Sequence, residues 1–105
     1  MADIPMSHSI TITVLYFAAA NSATGLASES ITLPSTPQAS DQTAGYRLAD
    51  LGGFLVSRHE KRGGELEKVL AMSRWSVDAD MVDDADTVIL RGGEEVAVIP
   101  PVSGG

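Results

Sequence analysis

The sequence predicts an α+β fold in which one main helix packs on one face of a mixed sheet of four to five strands. Alternating, β-branched segments stand near both ends of the chain, at residues 9–17 (SITITVLYF) and 94–100 (EEVAVIP). Between them, Leu48, Leu51 and Leu55 recur at helical spacing, which indicates an amphipathic helix. One main helix among several strands favours α+β over a doubly wound sheet. At 105 residues the chain suits one domain with one core.

The remaining elements follow from turn residues and from shorter periodic segments. We expect a flexible lead-in at 1–8, a second strand at 29–34, a loop at 35–45, the helix over 46–62, a short helix at 65–72, strands within 73–82 and a last strand at 94–100. The folded domain is therefore expected at 9–99, followed by an extended Gly-Gly tail at 100–105. Gly52 and Gly53 inside the helix indicate either close packing on the sheet or a kink.

Composition and charge exclude several classes of function. The chain has 14 acidic and 7 basic residues, a formal charge of -7, so nucleic acid and anionic membranes are poor partners. The absence of cysteine excludes disulfides, thiol nucleophiles and zinc–thiolate sites. We see neither a membrane-spanning stretch nor a secretion signal, and we therefore expect a cytoplasmic protein.

One helix can cover only one side of the sheet, which leaves the other side open. The better core face of the first strand carries Ile10, Ile12 and Val14. If the first and last strands are neighbours, the residues on the open side form one exposed apolar patch: Leu15, Phe17, Ala97 and Ile99. A patch of this kind usually marks a partner surface, although the short helix or the lead-in could cover it.

The last ten residues, VAVIPPVSGG, combine a strand, a stiff segment and a slim tip. Pro100 and Pro101 lack a backbone N–H and favour an extended exit from the sheet. Gly104 and Gly105 have no Cβ and could enter a narrow channel. The Gly105 carboxylate is a poor electrophile, so acyl chemistry would need activation by a nucleotide-using partner. The chain itself has no phosphate-binding glycine loop.

The segment EEVAVIPPVSGG resembles the C-terminal end of the β-grasp (ubiquitin-like) sulfur carriers that form the small subunit of molybdopterin synthase, and ITVLYFAAA resembles their first strand. The resemblance implies that the first and last strands lie side by side. It also implies that an enzyme similar to ubiquitin-activating enzymes adenylates the terminal glycine, which becomes a thiocarboxylate. The tail would then enter a large catalytic subunit and supply sulfur for the dithiolene of molybdopterin, in molybdenum cofactor biosynthesis.

The same resemblance assigns roles by position. Gly105 would bear the thiocarboxylate and Gly104 would pass through the channel. The residues implied at partner surfaces are Leu15, Phe17, Met81, Ala97, Ile99, Pro100, Pro101, Val102 and Ser103. The chain would not be catalytic alone and would bind no cofactor or metal, since the activating enzyme uses the ATP.

Three other functions remain open at this point. The chain could be a ubiquitin-like modifier conjugated to lysines through Gly105, a sulfur carrier for thiamine or cysteine biosynthesis, or a plain β-grasp interaction module with an inert tail.

Other chemistry-bearing residues have simpler interpretations. His8 and His59 are the only histidines, and we expect His59 to lie in solvent at a helix end. The aspartates of residues 78–86 lack the glycine and distal glutamate of a calcium loop and predict a solvated acidic face that could dock a basic partner. Trp75 is expected to pack.

Overall fold

A computed structural model describes residues 8–37, 44–62 and 64–101. Seven strands occur in these ranges: β1 (His8–Tyr16), β2 (Ser28–Pro37), β3 (Ala44–Arg47), β4 (Arg74–Val77), β5 (Asp80–Val82), β6 (Ile89–Leu90) and β7 (Glu95–Ile99). The helices are α1 (Ala19–Thr24), α2 (Leu48–Arg58) and α3 (Glu65–Ala71), with 3-10 turns at Glu60–Arg62 and Ala85–Thr87. None of the helices in these ranges has both the length and the apolarity needed to cross a membrane.

The strands form one mixed sheet in the order β5-β4-β7-β1-β2-β3-β6. The first and last strands pair in parallel at its centre, with Leu15 opposite Ala97 and Tyr16 opposite Val98. Strands β1 and β2 form the expected antiparallel pair. The predicted α+β fold is thus confirmed. The strand count exceeds the four to five expected because short strands β3, β5 and β6 extend both edges of the sheet.

The core lies between the sheet and α2. Leu48, Leu51 and Leu55, the leucines predicted to face the core, are fully buried. They meet the covered face of the sheet, whose buried side chains are Ile12, Val14, Tyr16, Val96 and Val98. Leu66 and Val69 place α3 on the same side. Burial of these aliphatic side chains is the main stabilising term of the fold.

In the segment after β1, Asn21 and Gly25 predict a turn, and that prediction is wrong. Residues 19–24 form α1, which buries Ala20 and Ala23 and ends at Gly25 in a left-handed conformation with φ of 77°. Alanine has the highest helix propensity, and a glycine at this position is a common helix stop. The alanine-rich composition was the signal for this helix.

Helix α2 begins later and ends earlier than predicted. Tyr46 and Arg47 pair with β6 as part of β3, so the helix starts at Leu48. It runs unbroken through Gly52 and Gly53 to Arg58. A Cβ built on Gly52 would lie 3.8 Å from Trp75 Cζ2, whereas nothing lies within 4 Å of one built on Gly53. Because 3.8 Å is an ordinary van der Waals distance, close packing does not require a glycine at either position, and Trp75 packs against the core as predicted.

Candidate functional site

The open side of the sheet carries a row of four cross-strand neighbours close to the end of the last strand. Leu15 of β1 lies opposite Ala97 of β7, and Ala97 in turn lies opposite Ser76 of β4. Ser76 lies opposite Met81 of β5. Directly opposed side chains on one face of a sheet are close enough to pack together. The sheet therefore brings four strands into a single surface here.

Five of the residues that the sequence placed on the partner surface line one groove of about 270 Å³: Leu15, Phe17, Met81, Ala97 and Ile99. Phe17 and Met81 form exposed ridges, with 48% and 44% of their surface accessible. Ala97 was expected to be exposed, but only 5% of its surface is accessible because it lies on the groove floor between larger neighbours. The predicted patch is therefore concave. Helix α3, one of the covers considered, packs on the opposite side of the sheet, and the lead-in at 1–7 lies outside the described residues.

The groove lies beside the point where the chain leaves the sheet. The backbone N–H of Phe17 donates to the Val98 carbonyl across 3.4 Å, and β7 ends at Ile99. Pro100 is buried and Pro101 is exposed. Val102, Ser103, Gly104 and Gly105 lie outside the described residues, so their extended conformation stays a prediction. Among the described residues, the predicted partner surface therefore reaches Ile99 in the groove and is interrupted by the buried Pro100.

The β4–β5 turn holds one ridge of the groove in place. Asp78 and Ala79 both have positive φ, 50° and 74°, as a tight hairpin turn requires. The backbone N–H of Asp78 donates to the Glu95 carbonyl across 2.8 Å, and Asp78 Oδ1 accepts the Glu95 backbone N–H at 2.9 Å. Asp78 thereby ties the hairpin, and with it Met81, to β7. The sequence marked Asp78 only as part of an acidic run, because its partner is remote in the chain.

The acidic run itself offers no metal centre in the described ranges, where no group of three or more His, Asp or Glu side chains is arranged to hold an ion. Asp83 makes a loose ion pair with Arg74 at 3.7 Å, and Asp84 Oδ1 accepts the backbone N–H of Asp86 at 3.0 Å. These carboxylates face solvent and do not line the groove.

A second polar cluster lies on the covered side of the sheet, and it overturns the expectation for His59. Glu29 Oε2 accepts a hydrogen bond from the Tyr16 hydroxyl at 2.6 Å and lies 2.7 Å from His59 Nε2. Glu29 Oε1 accepts from Arg58 Nε at 2.9 Å. The His59 side chain is only 10% exposed and that of Glu29 only 11%. His59 is therefore a buried partner of Glu29 and not a solvent-facing residue.

The pKa values follow from this burial and bonding. Burial alone would raise the pKa of Glu29, but the hydrogen bonds from Tyr16, His59 and Arg58 outweigh it and lower that pKa below its usual value. Burial and the hydrogen bond to Glu29 raise the pKa of the Tyr16 phenol far above its usual range. The signal in the sequence was Glu29 itself, since strand alternation places it on the same face as buried Ile31 and Leu33.

The model of the ThiS family matches residues 14–105, which is most of the chain and includes the strand pair, the groove and the tail. The chain belongs to the ThiS family. Membership of the ThiS family confirms the resemblance found in the sequence, and the parallel pairing of the first and last strands agrees with what that resemblance implied.

Individual relatives of this ThiS-family chain have consistent names. A molybdopterin synthase sulfur carrier subunit from Mycosarcoma maydis is 41% identical over 97 residues, covering 90% of this chain and 94% of that protein. A solved structure of a putative molybdopterin converting factor subunit 1 from Pyrococcus furiosus superposes with a TM-score of 0.66 at 27% identity, covering 89% of this chain and 99% of that one. Another solved structure shows a complex of subunits 1 and 2 of the molybdopterin-converting factor from Helicobacter pylori. One chain of that complex shares the fold with a TM-score of 0.58 at 18% identity, over 91% of this chain and 100% of that one.

Proposed function

We propose that this protein is the sulfur carrier subunit of a molybdopterin synthase. The observation that carries the proposal is the apolar groove beside the exit of β7, in a chain whose curated relative is named for that role and matches it over nearly its whole length. An exposed, concave apolar surface on a small domain is typical of a partner site. Here it adjoins the segment that ends in Gly104 and Gly105.

The chemistry is carried by the Gly105 carboxylate. A carboxylate oxygen attacks the α-phosphorus of ATP on an activating enzyme, and pyrophosphate leaves. A hydrosulfide-equivalent donor then displaces AMP, which keeps one of the original oxygens, and Gly105 is left as a thiocarboxylate. Its sulfur is anionic and a soft nucleophile, as thiolates are. This chemistry needs no cysteine, and the chain has none.

The proposed partners follow from the same chemistry. A large catalytic subunit would dock on the groove and receive the tail, supply acid–base groups and use the sulfur to build the dithiolene of molybdopterin. An adenylating enzyme would bind beforehand and use the ATP. The carrier would present its tail and bind no cofactor itself, so it would be catalytic only within the complex. A cytoplasmic location is part of the proposal, which fractionation of the host cell would test.

The test is the mass of the C-terminal peptide after incubation with the cognate activating enzyme, ATP and a sulfur donor. We expect the mass change of one oxygen replaced by one sulfur, confined to Gly105. Oxidation of any of the four methionines adds one oxygen and causes the same nominal mass change, with a slightly different exact mass. High-resolution tandem spectra, together with alkylation of the thiocarboxylate, separate the two.

The matched control is the chain lacking Gly104 and Gly105 under identical treatment. It should show only methionine oxidation, and it should not support dithiolene formation with the large subunit. An unmodified C-terminal peptide after reaction with an enzyme that modifies other carriers would overturn the proposal.

A further inference from the structure

Ser76 on the groove floor has a hydroxyl that nothing in the described chain uses. Its residue surface is 5% accessible, and its side chain faces the groove because Trp75 and Val77 on either side face the helices. The hydroxyl has no hydrogen-bond partner among the described residues. No fully inaccessible side-chain N or O atom in the described ranges lacks a partner, so the Ser76 oxygen is reachable from the groove. A hydroxyl that is reachable from the groove and makes no bond within the described chain can bond to a group that enters the groove.

The shape around Ser76 is that of a socket. In the cross-strand row, the outer members Leu15 and Met81 are large and the inner members Ala97 and Ser76 are small. Both inner residues are buried to the same extent, whereas the Met81 side chain is exposed. Small residues in the middle of a sheet face, flanked by large ones, leave room for a side chain from outside.

The lining also indicates what kind of side chain fits. Phe17 and Met81 provide apolar walls, and both make favourable contacts with aromatic rings. Glu95 adds a carboxylate at the rim, and Ser76 adds an oxygen at the floor. Walls of this kind accept an apolar body, and both oxygen groups accept a hydrogen bond from a donor at its tip. Tyrosine, tryptophan and arginine have this build and are the residues most enriched at interface hot spots.

We propose that the groove is a socket for one protruding side chain of the docked large subunit, with an apolar body and a donor tip that bonds to Ser76 Oγ. This inference rests on the proposed function, because it takes the occupant from the partner that receives the tail. That partner has to surround the chain at Ile99 and Pro100, which directly adjoin the socket. With about 270 Å³, the socket is smaller than most small-molecule pockets and suits one side chain.

The test measures the affinity of four variants for the large subunit by calorimetry, together with their thermal midpoints; one of them, Phe17→Ala, reports on docking at the groove as a whole. Ser76→Ala removes a hydroxyl that has no partner among the described residues, so the midpoint should stay unchanged while the affinity falls about three- to tenfold. Ala97→Leu fills the socket from its floor and should weaken binding by about a hundredfold. Ser30→Ala is the matched control, since Ser30 is an exposed serine on the open face of β2, away from the groove.

The outcomes separate this inference from the proposed function. Weakened binding by Ser76→Ala and Ala97→Leu, with Ser30→Ala at the wild-type affinity, supports the socket. If wild type binds the large subunit and Phe17→Ala weakens binding, but Ser76→Ala and Ala97→Leu bind like wild type, the socket alone is overturned. If wild type does not bind a large subunit that binds other carriers, both are overturned. Because Ser76→Ala adds no bulk, it reads out the socket even if Ala97→Leu fails to fold.

Discussion

The two sides of the sheet bury apolar side chains in different ways. On the covered side, Val14, Val96 and Val98 are fully buried under the helices. On the open side, Phe17, which directly follows β1, and Met81 of β5 remain about half exposed although they belong to the same sheet. Both faces belong to the same strands and share the same backbone hydrogen bonds. The difference in burial therefore depends on which other elements cover each face. The covered side accounts for stability, whereas the open side leaves apolar surface accessible, as the proposed docking of a large subunit requires.

The open side of the sheet has a polar half and an apolar half, and β1 runs from one to the other. Its first half presents Thr11 and Thr13 on this face, beside Ser30 and Thr32 of β2, and Thr11 Oγ1 lies 3.3 Å from Thr32 Oγ1. Its last half presents Leu15 at the edge of the groove. Since threonine and leucine are both accommodated in strands, backbone preference does not explain the change. The proposed partner, if it docks only at the tail end of the face, would explain the change.

The largest effect should come from placing a charge on the apolar half of the open side. Phe17→Asp would bury a carboxylate against the partner, so affinity for the large subunit should fall by at least about a thousandfold. The thermal midpoint should change little, because Phe17 is half exposed in the free chain. Calorimetric titration and thermal unfolding give the two quantities.

Thr32→Asp is the matched control on the polar half of the same face. It should retain the wild-type affinity within about twofold, as distant rim charges mainly affect association rates. Equal losses of affinity in both variants would contradict the division of the open side.

The next effect concerns the covered side. Leu55→Ala removes a fully buried side chain from α2 and should lower the free energy of unfolding by about 3 kcal/mol. The affinity of the folded fraction for the large subunit should stay within about twofold of wild type. Urea unfolding measures the first quantity, with Met81→Ala on the open side as a control that should unfold like wild type. A loss of affinity in Leu55→Ala at a concentration where it is folded would show that the two sides are coupled.

A smaller effect is expected from the carboxylate on the covered side. Glu29 has a folded-state pKa below its unfolded value, so its contribution is complete above the unfolded pKa and is lost as the pH falls through the folded pKa. Glu29→Gln should cost about 2 kcal/mol at neutral pH through weakened bonds to Tyr16 and Arg58. Wild type should lose that advantage over the variant between about pH 5 and pH 3.

The measurement is the free energy of unfolding of both proteins across that range. Glu65→Gln on α3 is the control, since it removes an exposed carboxylate that lies outside the Glu29 network. Parallel profiles for wild type and Glu29→Gln would mean that the network does not stabilise the charged carboxylate.

The smallest effect has the opposite sign. Gly53→Ala places a methyl group in open space on the exposed face of α2 and should stabilise the protein by about 0.5–1 kcal/mol. Thermal unfolding gives the gain, and binding to the large subunit should not change. A decrease in stability would indicate that α2 needs the glycine for a reason other than space.

The sequence predicted the main strands, and the face on which each of their side chains lies, because both depend on local alternation. The faces of β1 and β7 follow from period two alone, and the family resemblance supplied their adjacency. Met81 came from the resemblance too, since β5 is too short for its pattern to assign a face. The groove could not be foreseen, because its depth depends on which small residue of β4 lies opposite Ala97.

The misses have a common physical cause, which is contact between residues far apart in the chain. His59 was placed in solvent because the neighbouring charges suggested an exposed helix end, whereas Glu29 of β2 draws it inward. Asp78 was read as a surface charge although its carboxylate bonds to the β7 backbone. The wrong prediction for α1 has a different cause. Asn21 and Gly25 are typical turn residues, but the alanines around them favour a helix.

The position of β7 between β1 and β4 has a consequence for how the chain folds. The two strands at the centre of the sheet come from opposite ends of the described chain, so their pairing requires the closure of a very long loop. The hairpins β1–β2 and β4–β5 are local and can form first, but each keeps an unpaired edge until β7 inserts. Such edges readily pair with other chains, so the period before insertion is when this protein is most exposed to aggregation. Strand β7, which leads into the C-terminal tail, is therefore also the strand that completes the sheet.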